Sequence, residues 1–262
     1  MARPFGLVPT MGFLHEGHLS LVRQARQECS SVGVSIFVNP AQFGPTEDLD
    51  TYPTNLDRDL GLLNGEGTDM VWTPTTTEMY GPGHQTWVEV EDLTRYLEGG
   101  IREGHFRGVT TVVAKLFNSF QPDRAYFGQK DAQQAAVILR MTHDLNFPIE
   151  IIVCPTVREA DGLALSSRNA TLAAEERQAA TVLYRALTAA TELFNSGERE
   201  AKRLKAEMEA VLADEPLART EYSSVADPET LKESHGSIEQ ALLSMAVVIG
   251  KTRLIDNMTV GD

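Results

Sequence analysis

Two histidines three residues apart, His15 and His18 in His15-Glu16-Gly17-His18, are the side chains of this sequence best placed to hold an anion. They stand where a short apolar run, 6–8, ends at Pro9-Thr10 and a helical pattern begins. Gly12 and Gly17 beside them let a backbone approach a ligand closely. A helix N-terminus turns N–H groups and the positive end of its dipole toward an anion, and two imidazoles add donors for phosphate oxygens. The plainer alternatives are a packing histidine next to a surface one, or a metal pair. No third ligand stands at a plausible spacing for the metal.

Three further clusters carry chemistry. Gly128-Gln129-Lys130-Asp131 follows a strand pattern and opens a helix, so Lys130 can reach a phosphate as a point charge and Asp131 can cap. A solvated helix start is the alternative. Gln134 lies at i+4 from Lys130, on the same helix face. Leu165-Ser166-Ser167-Arg168-Asn169 follows Arg158-Glu159-Ala160-Asp161-Gly162, and its hydroxyls and guanidinium suit a triphosphate and a flexible closing loop. An ordinary serine-rich cap is the competing reading. Asn39-Pro40-Ala41-Gln42-Phe43 ends the second strand, where Gln42 can offer an amide to a carboxylate or hydroxyl or be a plain loop residue. There is no Walker A pattern, no G-x-G-x-x-G after the first strand and no G-x-S-x-G elbow. Covalent nucleophilic catalysis is therefore unsupported.

The elements that must position these residues alternate. The apolar pattern predicts strands over 6–8, 32–38, 69–72, 86–90, 124–127 and 149–154, with helices over 18–29, 57–63, 109–120 and 131–146. Such alternation with nearly continuous apolar strands predicts a Rossmann-like, doubly wound parallel α/β sheet over residues 1–156. The character changes near Pro155-Thr156-Val157. A long Ala-rich helix over 172–195 and a charged one over 198–212 precede strands near 221–226, 245–249 and 253–258. Residues 157–262 are thus expected to form a smaller α+β domain.

A formal net charge of -14 argues against a general nucleic-acid or anionic-membrane binder, which needs a basic face. No apolar run approaches the roughly 20 residues of a membrane span, and no secretory signal opens the chain. Cys29 and Cys154 stand far apart without C-x-x-C spacing, as expected of two reduced thiols in a cytoplasmic protein.

Taken together these segments resemble the pantothenate synthetase (pantoate–β-alanine ligase) family. The resemblance rests on Pro9-Thr10-Met11-Gly12 before the histidine pair, Ile36-Phe37-Val38-Asn39-Pro40 with Gln42-Phe43-Gly44, and Asp48-Leu49-Asp50 with Tyr52-Pro53. It continues through His105-Phe106-Arg107-Gly108-Val109, Pro122-Asp123-Arg124, Phe127-Gly128-Gln129-Lys130-Asp131, Arg158 to Ala164, and Ser166-Ser167-Arg168-Asn169. The matches are collinear over most of residues 5–170; beyond them Thr252-Arg253-Leu254-Ile255-Asp256-Asn257 is the most familiar stretch. Leu165 stands where many relatives have Met, a volume-conserving change. Relatives also usually carry an extra helical segment before the first strand. The wider likeness is to the H-x-G-H nucleotidyltransferases.

The resemblance implies ATP-dependent condensation of pantoate with β-alanine through a pantoyl adenylate, with Mg²⁺, in a homodimer whose C-terminal domain is a lid. It makes His18, His15 and Lys130 catalytic. ATP would be lined by Met11, Gly12, His15, Gly17, His18, Gly128, Lys130, Asp131, Val157, Leu165, Ser166, Ser167 and Arg168. Gln42, Gln134, Arg102, Tyr52 and Asn39 would meet the other substrates. Asp59 would stand near the metal, with a solvated helix face as the alternative. A sister enzyme that transfers a nucleotide to a phosphorylated acceptor, and a non-catalytic nucleotide sensor, are the competing functions.

Overall fold

Gly6-Leu7-Val8 has to be buried on both sides, because the strand it belongs to lies in the middle of a sheet. In the computed structural model, which describes residues 1–45 and 47–261, that strand is β1 (Phe5–Thr10). With β2 (Ser31–Ile36), β3 (Met70–Trp72), β4 (Arg124–Gly128) and β5 (Glu150–Cys154) it forms a five-stranded sheet in the order β3-β2-β1-β4-β5. All neighbours are parallel; Thr10 pairs with Ile36, and Leu7 with Ala125. The carboxyl ends of β1, β2 and β4 therefore share one edge. The order turns back on itself beside β1, which is where open α/β sheets bind ligands.

Side-chain alternation divides β1 between two cores. Phe5 and Leu7 join the cluster of Val109, Val113 and Phe117, while Val8 joins Leu19, Val22 and Ala25. The second set lies on α1 (Glu16–Glu28), the crossover from β1 to β2. Next come α2 (Leu56–Gly65), α3 (Thr76–Met79), α4 (Leu97–Ile101), α5 (His105–Phe120) and α6 (Ala132–Asp144). Cys29 and Cys154 are free and buried, and no described helix is long and apolar enough to cross a membrane.

Two compact units emerge. One comprises Met1–Arg95, Gly99–Gln129 and Gln133–Pro155; the other comprises Tyr96–Glu98, Lys130–Ala132 and the chain from Thr156 onward. The second unit holds α7 (Ala174–Ala179), α8 (Val182–Asn195), α9 (Ala201–Ala213) and the antiparallel sheet β6 (Ala218–Ala226), β7 (Ala241–Ile249) and β8 (Thr252–Val260). Its core packs Leu183, Leu187 and Phe194 of α8 and Leu204 and Met208 of α9 against Leu243, Met245 and Val247 of β7. A parallel α/β sheet with a separate small α+β sheet is the fold class expected.

Three elements differ from the sequence expectation. Residues 86–90 are extended but form no strand: Val88 N–H donates to Thr111 Oγ1 at 3.0 Å, and Thr110 Oγ1 donates to Val88 O at 2.6 Å. Hydroxyls of α5 thus take the groups a ladder would use. The helix expected over 172–195 is broken into α7 and α8. Thr181 Oγ1 bonds Gln178 O at 2.8 Å, a side-chain competitor for the helical carbonyl at the break. The helix expected from 131 begins instead with a 3₁₀ turn, Gln129–Asp131.

Helix α5 reaches the sheet edge only because position 108 has no side chain. A Cβ on Gly108 would lie 2.3 Å from Ala41 O and 2.6 Å from Gln42 N. Gly108→Ala is expected to cost about 1–3 kcal/mol of stability, read as a lower urea midpoint. An unshifted midpoint would mean that α5 is not wedged against this turn.

Candidate active-site residues

The turn after β1 is shaped by left-handed backbone. Gly12 has φ +83° and Phe13 φ 48°, so the chain reverses within two residues before α1 begins. Thr10 Oγ1 anchors the turn from below, donating to Ser35 O at 2.8 Å and accepting Gly12 N–H at 3.3 Å. Helix α2 clamps it from the side. Asp59 Oδ1 accepts Leu14 N–H at 2.9 Å, and Arg58 Nη1 donates to Leu14 O at 2.8 Å. The same guanidinium sits 5.4 Å above the Phe13 ring.

So held, the turn delivers His15 to the N-cap of α1. His15 N–H donates to His18 Nδ1 at 3.3 Å, and the two rings lie 4.0 Å apart between centroids. A neutral His18 whose Nδ1 accepts this bond carries its proton on Nε2. The first-turn N–H groups of α1 lie at this same helix terminus.

Asp59 is 1% exposed, which removes the solvated-face alternative. Its Oδ1 also meets Arg58 Nη1 at 3.2 Å. Among the described residues no group of three His, Cys, Asp or Glu could hold a metal ion. A carboxylate bonded to a backbone amide and a guanidinium fits a loop clamp better than a metal ligand.

The turn after β2 presents Gln42, which is 8% exposed. Its Nε2 approaches Met11 Sδ at 3.1 Å, bringing the second turn against the first. Asn39 Nδ2 donates to Gln42 Oε1 at 3.0 Å and to Gly108 O at 3.1 Å. Asn39 is therefore scaffold as much as candidate ligand. His105 bonds Gln42 O through Nδ1 at 2.7 Å, and Arg102 Nη1 meets His105 Nε2 at 3.0 Å. Arg102 is itself forked onto Glu47 at 2.8 and 2.6 Å. Burial works against the Glu47 charge, yet the Arg102 bonds hold its carboxyl below the usual carboxylate range. Tyr52 packs edge-on to Phe43 at 5.9 Å. On α6, Gln133 is the buried neighbour, donating to Leu93 O at 2.8 Å, and Gln134 is half-buried.

In the second unit Lys130 follows Gly128 by two residues, and its carbonyl accepts Asn257 Nδ2 at 2.8 Å. The 158–168 segment, expected as a flexible loop, folds as a bonded hairpin. Arg158 bridges Ala164, Glu159 N–H bonds Leu163 O at 2.9 Å and Leu165 N–H bonds Val157 O at 3.0 Å. Arg158 is forked onto Asp256 at 2.6 and 2.9 Å and lies 4.9 Å over the Tyr184 ring. Gly162, at φ +91°, leaves room for that ring; a Cβ there would be 2.0 Å from it. Ser166 Oγ accepts Arg168 N–H at 3.3 Å and starts the 3₁₀ turn Ser167–Thr171, with Ser167 buried. Sequence reasoning quoted Asp256 and Asn257 without a role; they hold the hairpin and the Lys130 turn.

Asp59→Ala is expected to cost about 1–3 kcal/mol, because it strands the Leu14 N–H in a buried place. Asp59→Asn keeps an oxygen for that N–H and should cost clearly less. Equal losses in urea unfolding of the two variants would count against the clamp.

The family model for pantoate-beta-alanine ligase matches residues 1–259. A pantothenate synthetase of Roseiflexus castenholzii is 61% identical over 252 residues, which cover 96% of this chain and 91% of that protein. The crystal structure of pantothenate synthetase from Thermus thermophilus superposes with a TM-score of 0.94 at 49% identity, covering 97% of this chain and 92% of that one. A pantoate-beta-alanine ligase from Francisella tularensis, complexed with beta-gamma ATP and beta-alanine, gives a TM-score of 0.79 at 35% identity, over 97% and 88% of the two chains. Agreement of a nearly full-length family match with such close relatives settles the kinship: the chain belongs to the pantoate-beta-alanine ligase family.

Proposed function

We propose that this chain condenses pantoate with β-alanine, cleaving ATP to AMP and pyrophosphate through a pantoyl adenylate. The observation that carries the reading is the pair of turns at one sheet edge: His15 N–H meets His18 Nδ1 at the start of α1, and Gln42 of the next turn reaches Met11 just before it. The Francisella relative, complexed with beta-gamma ATP and beta-alanine, supports the choice of substrates.

A pantoate carboxylate is ionised at neutral pH, so its attack on the ATP α-phosphorus needs no general base. An O–P bond forms, the bond from the α-phosphorus to the bridging oxygen breaks and pyrophosphate leaves. The step needs in-line placement and donors to the growing charge. His18, His15, Lys130, Ser166 and Arg168 supply those donors. Met11, Gly12, Gly17, Gly128, Asp131, Val157, Leu165 and Ser167 line the nucleotide. Gln42 and Gln134 hold pantoate, with Arg102 and Tyr52 further out. The free amine of β-alanine then attacks the activated carbonyl carbon. A C–N bond forms, the C–O bond to AMP breaks and the amine proton is lost to solvent. Mg²⁺ belongs to this reading only as the companion of ATP. Asp59 is already engaged by Leu14 and Arg58, and no step is assigned to the ion through it.

Pyrophosphate release should depend on pantoate, and adding β-alanine should yield free AMP with the amide. A chain that releases none with pantoate and MgATP leaves the proposal without support; a product that keeps the nucleotide points to the sister transferases. His18→Ala and Lys130→Ala should each lower kcat on the order of 100- to 1000-fold. Turnover within about threefold of the parent for both variants would sink these roles.

A further inference from the structure

A glutamine amide can show a ligand either its oxygen or its nitrogen, and only the nitrogen suits a carboxylate. Around Gln42 that choice is made by its neighbours. Gly108 O can only accept and Ala41 N–H can only donate; they meet Asn39 Nδ2 at 3.1 Å and Asn39 Oδ1 at 3.3 Å. The second hydrogen of Asn39 Nδ2 goes to Gln42 Oε1 at 3.0 Å. The Gln42 oxygen is thereby used internally, and its Nε2 is left facing the Met11 side.

The shortest side-chain bond to Asn39 is made by a residue that the catalytic reading does not use. Tyr80 donates its O–H to Asn39 Oδ1 at 2.8 Å, against 3.3 Å for Ala41 N–H on the same oxygen. Burial, opposed by the Asn39 bond, pushes the Tyr80 phenol up to about 12, so it remains a donor at neutral pH. The ring is itself fixed. It stacks on Trp87 at 5.8 Å, meets His84 edge-on at 5.1 Å and lies 6.5 Å from Phe37. The Arg107 guanidinium lies 4.6 Å over the Trp87 ring.

We propose that Tyr80 is a positioning residue for pantoate: acting through Asn39, it holds Gln42 with its amide nitrogen turned toward the substrate's acceptor oxygens. The inference rests on the reading of Gln42 as a pantoate-binding group. It assigns Tyr80 to the affinity for pantoate and not to the affinity for ATP.

Tyr80→Phe tests this, since it keeps the ring and removes the O–H. In steady-state assays of pyrophosphate release, KM for pantoate should rise about tenfold, while KM for ATP stays within about twofold. In a Gln42→Ala background the same substitution should add no further rise, because the two residues act as one unit. An unchanged KM for pantoate overturns the inference. So do equal rises in both KM values, the mark of a general structural loss, or effects of the two substitutions that multiply. If the parent is active and Gln42→Ala leaves KM for pantoate unchanged, the pantoate role of Gln42 falls and takes this inference with it.

Discussion

A buried carboxylate holding one backbone amide is the contact on which the first unit's chemistry depends. Burying a charge is costly unless hydrogen bonds replace its water. Asp59 meets that condition with Leu14 N–H on one side and Arg58 on the other. In return, a turn containing a non-glycine residue at positive φ, Phe13, is kept in one conformation. His15 follows as helix cap, and its amide sets which nitrogen of His18 carries the proton. The clamp thus holds the residue just before the cap whose amide meets His18.

The parallel sheet explains why separate turns can serve one purpose. Parallel strands all end on the same edge, and β1 is central, with β2 on one side and β4 on the other. The histidine pair and Gln42 follow β1 and β2, and Gly128 ends β4. Thr10 and Ile36 end their strands in register, so the first two turns start level. The Gln42–Met11 contact is the consequence.

Much of this was legible in the sequence, and what was not has a common cause. Continuous apolar runs and helical spacing located all five parallel strands and the long helices, because those signals are local and repeat within each element. The extended 86–90 segment has the same apolar alternation as a strand, but its hydrogen-bond partners are hydroxyls on α5, some twenty residues away in sequence. Nothing near residue 88 announces them. Asp59 read as a carboxylate near a metal or as part of a solvated helix face, and nothing in the sequence announced its burial. Arg102 read as a candidate substrate contact, and its pairing with Glu47 spans 55 positions. The motifs marked which residues mattered, while their partners decided what each one could do.

Those partners share a logic. At Gln42 the amide oxygen is taken by Asn39, and at His18 the Nδ1 lone pair is taken by the His15 amide. In both cases an acceptor is used inside the protein. Using these acceptors in internal bonds favours N–H groups over oxygens at the two side chains without any change of charge. Such donors need little reorganisation as charge develops on a phosphoryl group, which is where preorganised dipoles act most strongly. The local polarity at Gln42 and His18 is therefore set by hydrogen-bond direction as well as by charge.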